Sequence, residues 1–386
     1  MEQELVWINA VESVHEGQSS FFKFISANDS GETGGHQAGF LIPKSAISAF
    51  IDEPRVRGEN FTKNIRIEWD DGFITDSVFK YYGKRTRNEY RLTRFGQNFN
   101  FRERIQTGDL LVMSRIEHDY FRAFILKSED EIDSFLEALG LNPVDSGTII
   151  TISPPALEIN EENEFDLFFQ SLQGHFPTTW EMANAARELD LKIYDKEYEL
   201  LSDPDKKILD WTAFEYRLFR HIEKGFYERP VKKGFDNLEQ FLELANSLLN
   251  RRKSRAGKSL EHHLSHLFLV NKLSFSEQAK TEGNSRPDFI FPGINQYHNE
   301  FFPRDKIVVL AAKTTCKDRW RQILTETKNL NRYYLFTLQQ GITANQLDEM
   351  KAANVQLIVP KAYISSYPAT HRSGLMTLKS FIGLLK

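Results

Sequence analysis

Short apolar segments separated by polar breaks run through the first 150 residues, a pattern typical of β-strands. The segments are rich in β-branched and aromatic residues, and Gly, Asn, Asp and Ser lie between them. The predicted strands are 21–25, 39–42, 65–69, 110–113, 121–126 and 148–152, with helices expected at 45–51 and 129–139. Many short strands and few helices indicate an N-terminal all-β-rich domain, folded as a barrel or a sandwich.

The pattern changes after residue 152. Ser153, Pro154 and Pro155 end the last predicted strand, and five of the nine residues from 158 to 166 are acidic. A segment of that composition buries little apolar surface, so we interpret residues 153–166 as an acidic hinge. An exposed acidic loop inside a single domain is the alternative. If residues 153–166 are a hinge, residues 1–152 form one domain and residues 167–386 form another.

Beyond the hinge, apolar residues recur with helical spacing and strands return later. The predicted helices are 165–173, 180–189, 206–224, 238–250 and 259–270, and the predicted strands are 288–291, 306–312, 334–338 and 356–359. Helices that alternate with buried strands indicate an α/β domain with a central mixed sheet.

Composition narrows the class of protein. Charged residues make up 27% and hydrophobic residues 40% of the 386 positions, as in a soluble globular protein. The lone Cys316 excludes an internal disulfide framework and favours a reducing compartment. The longest clean apolar run, residues 307–312, is too short to cross a bilayer, and the first residues are acidic rather than typical of a signal peptide. We therefore expect a cytoplasmic protein.

Two basic clusters stand out against a net charge of −5. Residues 80–104 contain eight Lys or Arg, two acids and six interleaved aromatics. Residues 251–258 contain five basic residues and no acid. A solvated basic face is the usual explanation of one such cluster, but one in each presumed domain favours a nucleic-acid partner.

A carboxylate and a lysine occupy the ends of two predicted strands in the second domain. Asp288 begins one apolar strand, and Lys313 ends the next, 25 residues later. This pair suits metal-dependent phosphodiester hydrolysis, since Mg²⁺ takes oxygen ligands and an ammonium can neutralise the developing anion. A structural Asp at a strand start and a solvent-exposed Lys are the alternatives for each residue alone.

The second acid of such a site is not at its usual place. Many nucleases of this kind have an acid two residues before the lysine, where this chain has Ala311. Glu326 is the best substitute, because a helix predicted over 318–331 places Arg319, Gln322 and Glu326 on one face. An ordinary helix-surface acid is the alternative for Glu326.

Two further features lie on the predicted helix 259–270. Glu261 borders an apolar stripe, so it can face either a cleft or the surface. His262 and His266 have the i, i+4 spacing of a zinc site, but no matching acid follows them.

Several sequence runs resemble the EcoRII family of restriction endonucleases. They are SAND at 26–29, TGGHQ at 33–37, TRNE at 86–89, NRRKSRAGKSLE at 250–261, KTTCKDRWRQIL at 313–324 and LMTL at 375–378. The resemblance covers nearly the whole chain and is weakest over residues 125–235.

The resemblance implies a type IIE restriction endonuclease, a homodimer that cuts double-stranded DNA with Mg²⁺. Its C-terminal domain would have the α/β restriction-endonuclease-like (PD-(D/E)XK) fold. Its N-terminal domain would be a DNA-binding pseudobarrel that binds a second copy of the site and blocks the catalytic cleft when empty. Family members recognise 5′-CCWGG and are paired with a cytosine DNA methyltransferase.

The same resemblance assigns roles to individual residues. The catalytic set would be Asp288, Lys313 and Glu326, supported by Glu261 and by Tyr297 in an undefined role, with Asp288 and Glu326 as metal ligands. Lys317, Asp318 and Arg319 would read C·G pairs. The effector domain would contact DNA through two arms that contain Lys23, Asn28, Asp29, His36, Arg85, Arg87, Asn88, Glu89 and Arg91.

Two other functions remain open at this point. One is a non-catalytic DNA-binding regulator whose second domain is a degenerate nuclease. The other is a structure-specific repair nuclease on the same fold.

Overall fold

The computed structural model describes residues 6–33, 39–151, 159–281, 285–317, 319–326 and 332–386, with all of their side chains except those of Arg102, Thr325 and Glu326. The chain divides into two compact units. Unit 1 comprises Met1–Ile150 together with Gln339–Glu349 and Tyr363–Ser373, and unit 2 comprises Thr151–Leu338, Met350–Ala362 and Gly374–Lys386. The predicted domain boundaries did not anticipate that two late segments belong to unit 1.

Unit 1 is built on a single sheet. The strands are β1 (Ser19–Phe24), β2 (Phe40–Ile42), β3 (Asn60–Trp69), β4 (Ile74–Tyr82), β5 (Glu89–Thr93), β6 (Leu110–Glu117) and β7 (Tyr120–Leu126). The helices are α1 (Val6–Glu16), α2 (Ala27–Ser30), α3 (Phe101–Arg104) and α4 (Glu129–Leu139), with 3₁₀ turns at Lys44–Ala49 and Pro143–Asp145. In the described residues the strand order is β1-β6-β7-β3-β4-β5-β2, antiparallel except for β3 and β7.

Alternation along β1 places adjacent residues on opposite faces of the sheet. Phe21 belongs to a large aromatic core in which Phe50 stacks on Phe79 at 4.5 Å and on Phe121 at 5.1 Å between ring centroids. Phe22 lies in a second core under α1 and α4, where it contacts Phe135. Both faces of this part of the sheet are therefore covered.

Some elements of unit 1 differ from the prediction for identifiable reasons. The hairpin strands β4 and β5 were not predicted. In β4, the buried positions hold the polar residues Thr75 and Ser77, which hides the alternation of a strand. Their hydroxyl groups bond to each other, and Thr75 Oγ1 also accepts from Trp69 Nε1. The strand predicted at 148–152 is wrong for its described residues, where a single bridge joins Ile149 to Phe21. The helix predicted at 45–51 is a 3₁₀ turn.

The later part of the chain is mostly helical with a small sheet. The helices are α5 (Ile159–Ser171), α6 (Thr179–Tyr194), α7 (Glu199–Ser202), α8 (Pro204–Lys233), α9 (Leu238–Val270), α10 (Ile294–His298), α11 (Ile323–Glu326), α12 (Ala344–Ala352) and α13 (Leu378–Leu385). The strands are β8 (Ser276–Glu277), β9 (Phe289–Phe291), β10 (Val308–Lys313), β11 (Tyr333–Thr337) and β12 (Val355–Ile358). Short 3₁₀ turns lie at Arg304–Lys306, Arg319–Gln322, Lys361–Ser366 and Arg372–Gly374.

The described strands of unit 2 form a mixed sheet in the order β12-β11-β10-β9-β8. The strands β10, β11 and β12 are parallel, whereas β9 is antiparallel to both β10 and β8. The expected central mixed sheet is present.

Residues 159–166 of the predicted hinge are helical, which corrects that part of the prediction. They form the start of α5, where Phe165 is fully buried against Phe214. Glu161 is also buried, because Arg217 and Tyr194 donate to its carboxylate at 2.6 and 2.7 Å. Acidic composition therefore did not prevent burial here. Residues 152–158 lie outside the described residues.

The two helices predicted at 238–250 and 259–270 are one continuous helix, α9. Near its end, the ring of Phe268 packs on Phe289 and Phe291 of β9 and on Phe381 of α13. Residues seven positions apart share a helix face, so Glu261 lies on the same face as Phe268, about 10 Å along the axis. The packing of Phe268 thereby directs Glu261 toward the β9 edge. No described helix is long and apolar enough to span a membrane.

We expect Phe50→Ala to destabilise unit 1 by about 3–5 kcal/mol, since it removes a fully buried ring stacked between two others. Urea unfolding monitored by circular dichroism measures this change. Val56→Ala, at a side chain that is 80% exposed, is the matched control and should shift the free energy of unfolding by less than about 0.5 kcal/mol. Equal effects of the two variants would contradict the core assignment.

Candidate active site and DNA-binding surfaces

Asp288 is fixed to the neighbouring strand by a backbone amide. Its Oδ2 accepts a hydrogen bond from the Ala312 N–H at 2.8 Å, and the residue is only 8% exposed. The antiparallel register pairs Leu310 with Phe289, so the end of β10 runs past Asp288. The carboxylate is thus held beside the residue that precedes Lys313.

Glu261 joins Asp288 at this edge through one shared donor. Gln278 Nε2 donates to Asp288 Oδ1 at 2.7 Å and to Glu261 Oε2 at 3.0 Å. Lys258, one turn earlier on α9, donates to both oxygens of Glu261. Burial, and after it the negative charge of Asp288, raises the pKa of Glu261 above its ordinary value. The two acids are therefore close enough to influence each other.

Lys313 ends β10 and is half-buried. The structure brings Asp288 and the backbone of Lys313 together, as the sequence predicts. Glu326 is the last residue of α11, but its side chain lies outside the described set. The helix predicted at 318–331 is wrong in its first described turn, which is a 3₁₀ turn at Arg319–Gln322, with α11 following it.

The carboxylates of this cluster suit a hard divalent cation. Glu261 and Asp288 offer oxygen ligands of the kind that Mg²⁺ prefers, and their mutual repulsion would fall if a cation lay between them. Among the described residues, no group of three or more His, Cys, Asp or Glu side chains is arranged to hold a metal ion. The donor types present fit Mg²⁺, with Glu326 as the third acid of the predicted set.

Tyr297 lies in a hydrophobic cluster with Ile290, Ile307 and Val309 and is 2% exposed. Ile290 and Phe289 are adjacent on β9 and point to opposite faces, so the Tyr297 ring packs on the sheet face opposite the one that Phe268 covers. The guanidinium of Arg304 stacks over the ring, 5.5 Å from its centroid. These contacts explain Tyr297 as a core residue, and its catalytic role stays a prediction.

The predicted C·G-reading segment is only partly described. Lys317 is 6% exposed and Arg319 is half-buried at the start of a 3₁₀ turn, whereas Asp318 lies outside the described residues. Their recognition roles stay predictions. Cys316 is fully buried.

The second basic cluster is largely used inside unit 2, which weakens its interpretation as a DNA surface. Arg252 Nε donates to Glu223 at 2.7 Å, and both side chains are mostly buried. Arg255 is 6% exposed and stacks over Phe219 at 5.0 Å. These groups join α9 to α8, so their charge stabilises the helix pair.

The zinc alternative finds no support among the described residues, where no group of three or more His, Cys, Asp or Glu side chains is placed to hold a metal ion. His262 Nε2 instead lies 3.3 Å from Thr179 Oγ1, within hydrogen-bond distance. His266 packs edge-on against Trp211, and burial lowers its pKa to about 4. The pair belongs to the packing of the helices.

In the first effector arm, Lys23 and Asp29 form a buried ion pair at 2.7 Å. Asp29 is fully buried and also accepts from the backbone amides of Ser26 and Leu41 and from Ser26 Oγ. Lys23 donates to Leu41 O as well. The pair therefore joins α2 to β2, and a role of either residue in contacting DNA stays a prediction. Asn28 is half-buried, and His36 lies outside the described residues.

The second effector arm is exposed. Arg85, Arg87 and Asn88 lie on the turn between β4 and β5. Asn88 Oδ1 accepts from Tyr81 OH, and Arg87 stacks over Tyr82. Glu89 pairs with Arg91 at 3.2 Å.

Most aromatics of the first basic cluster are buried, and Tyr82 under Arg87 is the exception. Five of the six are in or near the core, namely Tyr81, Tyr90, Phe95, Phe99 and Phe101, each at most 7% exposed. Their interleaving with basic residues in the sequence therefore reflects core packing, whereas Arg85 and Arg87 on the turn are exposed.

Comparison with known proteins assigns the chain to a family. The model of the EcoRII C-terminal domain matches residues 219–382, and that of the restriction endonuclease EcoRII N-terminal domain matches residues 14–153. The type II restriction enzyme EcoRII of Escherichia coli is 36% identical over 380 residues, spanning 95% of this chain and 93% of the relative. The chain belongs to the EcoRII family. It is accordingly a type II restriction enzyme, an endonuclease that cuts DNA in a sequence-specific way.

Two solved structures resemble this EcoRII-family chain in part. One is metal-depleted Ecl18kI in complex with uncleaved, modified DNA, with 20% identity and a TM-score of 0.46 over 58% of this chain and 83% of that one. The other is a complex of the restriction endonuclease PspGI with substrate DNA, with 16% identity and a TM-score of 0.45 over 54% and 92% of the respective chains.

Sequence reasoning missed Gln278 in this EcoRII-family site. It lies ten residues before Asp288, in a segment without periodicity, and a neutral amide gives no signal of its own. Lys258 was noted only as part of a basic cluster, although its i, i+3 spacing to Glu261 predicts their ion pair.

We expect Asp29→Ala to destabilise unit 1 by about 3–5 kcal/mol, because it leaves the Lys23 ammonium buried without its partner. Urea unfolding of the full chain gives the value. Glu89→Ala, which breaks the more exposed pair with Arg91, is the control and should cost less than about 1 kcal/mol. A cost below about 1 kcal/mol for Asp29→Ala would show that the buried pair does not hold α2 against β2.

Proposed function

We propose that this protein is a Mg²⁺-dependent type IIE restriction endonuclease that cuts both strands of DNA at 5′-CCWGG or a closely related site. The observation that carries the proposal is the cluster at the β9–β10 edge. There the Ala312 amide holds Asp288 beside Lys313, and Gln278 links Asp288 to Glu261. Membership of the EcoRII family supports it.

The acids are the groups that would hold Mg²⁺. Asp288 and Glu326 are the proposed ligands, and Glu261 supports them from α9. The ion would polarise the scissile phosphate and lower the pKa of a bound water. The backbone bond from Ala312 leaves further lone pairs of the Asp288 carboxylate free, since each oxygen can accept more than one bond.

Lys313 is proposed to orient the attacking water and to stabilise the negative charge that develops on the phosphate. The reaction is a direct attack of water on phosphorus, without a covalent intermediate with the enzyme. Tyr297 is kept as a residue near the site that supports the sheet from its other face.

Sequence recognition is assigned to Lys317, Asp318 and Arg319. Arg and Lys pair with O6 and N7 of guanine, and Asp accepts from N4 of cytosine. A homodimer would present this segment twice, which matches a palindromic site read on both strands. Methylation by a partner cytosine DNA methyltransferase would then protect the host DNA.

Unit 1 is proposed to be a DNA-binding pseudobarrel that binds a second copy of the site. Its second arm contains Arg85, Arg87, Asn88, Glu89 and Arg91. Asn28 and His36 belong to the first arm, in which Lys23 and Asp29 join α2 to β2. Without the second copy, this domain would block the catalytic cleft, so binding there activates cleavage. The exposed cations of the β4–β5 turn support this assignment.

Lys313→Ala should lower Mg²⁺-dependent cleavage of an unmethylated plasmid with two CCWGG sites by at least about 10³-fold, because the group that stabilises the transition state is lost. Binding of the site-bearing duplex in Ca²⁺ should stay within threefold of wild type. Lys306→Ala, at an exposed lysine before β10, is the control and should cut normally. Cleavage by Lys313→Ala within tenfold of wild type would refute the catalytic assignment.

Arg85→Ala with Arg87→Ala should remove stimulation by a second site, so that two-site plasmid is cut no faster than one-site plasmid. Each lost phosphate contact should also lower the salt slope of DNA binding by about one. Arg66→Ala is the control. Arg66 is exposed on β3 and lies about 20 Å from Asn60, the β3 residue that pairs with Tyr82 beside the turn. Full stimulation in the double variant would exclude this turn as the effector arm.

A further inference from the structure

Gln278, the residue after β8, joins two carboxylates that belong to different elements. Its Nε2 donates to Asp288 Oδ1 at 2.7 Å and to Glu261 Oε2 at 3.0 Å. Asp288 precedes β9, whereas Glu261 lies on α9. One amide nitrogen carries two hydrogens, and each is directed to one of the acids. The side chain is therefore a direct link between the sheet and the helix.

The spacing set by this link is close to the one that a divalent cation requires. Because a single nitrogen reaches both acceptors, the two carboxylate oxygens lie less than about 6 Å apart. Two oxygens bound to one Mg²⁺ lie at most about 4 Å apart, since each Mg–O distance is about 2.1 Å. The amide thus holds two mutually repelling carboxylates at a separation from which a small shift would let both bind one ion.

The backbone conformation at this position is one that glutamine seldom adopts. Gln278 has a φ of +47°, in the left-handed region where Gly, Asn and Asp are the favoured residues. Its N–H donates to Asp288 O at 3.2 Å, which ties the same residue to the strand. Asparagine would suit the backbone better, but it is one methylene too short to span both acids.

We infer that Gln278 is a positioning residue for the divalent-cation site, whose amide holds Glu261 and Asp288 ready to bind the same ion. This rests on the proposed function, in which Asp288 is a metal ligand, and adds Glu261, there a supporting residue, as a further ligand of the same ion. Without the amide, Glu261 is free to turn toward Lys258, which already donates to both of its oxygens. The ion must then pull the carboxylate back, so its apparent affinity falls while the saturated rate is kept.

Two variants of the full-length protein test this. Gln278→Met keeps the length without the donors, and Gln278→Asn keeps the amide and suits the left-handed backbone but cannot reach both acids. Binding of Mn²⁺, an ion that also takes oxygen ligands, is measured by the EPR signal of the free ion, in the presence of a non-cleavable site-bearing duplex. Single-turnover cleavage is measured as a function of Mg²⁺ concentration.

Both variants should raise the Mn²⁺ dissociation constant and the half-saturating Mg²⁺ concentration about tenfold, with the saturated rate within threefold of wild type. Gln240→Met, at an exposed glutamine on α9, should change neither value. A rise of less than fivefold in folded Gln278→Asn overturns the inference, and so does a lost rate that Mg²⁺ cannot restore. If Gln278→Met does not fold, Gln278→Asn alone decides.

The failure of the proposed function is distinguishable from the failure of this inference. If wild-type protein binds Mn²⁺ but cuts no DNA, the proposed function fails and Mn²⁺ binding by the Gln278 variants still decides the inference. If Asp288→Asn leaves Mn²⁺ binding unchanged, the metal site itself is wrong and the inference falls with it.

Discussion

The hydrogen bond from the Ala312 amide to Asp288 is the contact on which the candidate active site depends. A carboxylate that is 8% exposed needs donors to remain in place, and a backbone amide in a β-ladder is a donor with little freedom to move. The position of Asp288 is therefore set by the register of β9 against β10. The same register places Lys313 one residue beyond Ala312, so the paired strands β9 and β10 fix the backbone positions of both Asp288 and Lys313.

The second acid, Glu261, lies on the helix α9, and aromatic packing of that helix determines where its carboxylate lies. Phe268 fixes the end of α9 on β9, and Glu261 lies on the same face nearly two turns earlier. Lys258 and Gln278 then satisfy its carboxylate. Unit 1 follows the same physical rule at Asp29, where a lysine and two backbone amides surround a fully buried carboxylate. In both units, a buried acid is used to fix a segment that carries candidate functional residues.

Periodicity alone predicted most of the strands and the mixed sheet of unit 2, because those strands are continuous apolar runs with polar ends. Periodicity failed to predict elements in which polar or charged residues are buried. Thr75 and Ser77 are buried in β4 because they bond to each other, so the alternation that marks a strand is hidden. Residues 159–164 of the acidic segment are helical, and Arg217 pairs with the buried carboxylate of Glu161 there. Asp288 and Lys313 were found from strand-end positions, whereas Gln278 depends on a tertiary contact that no local pattern encodes.

The two basic clusters show why local charge density is an incomplete guide to a DNA surface. Residues 251–258 are the denser cluster, with five basic residues in eight positions against eight in the 25 positions from 80 to 104, yet their surroundings differ. Residues 251–258 lie in the middle of a long helix, where Glu223 and the rings of Tyr216 and Phe219 are within reach of the arginines. At the β4–β5 turn, Arg87 stacks over the half-buried ring of Tyr82, and Arg85 and Arg87 are both exposed. A cation on an exposed hairpin turn stays in solvent, whereas a cation on a packed helix is paired with a neighbouring acid or ring. The secondary-structure element that carries a basic cluster therefore determines whether its cations are accessible to phosphate.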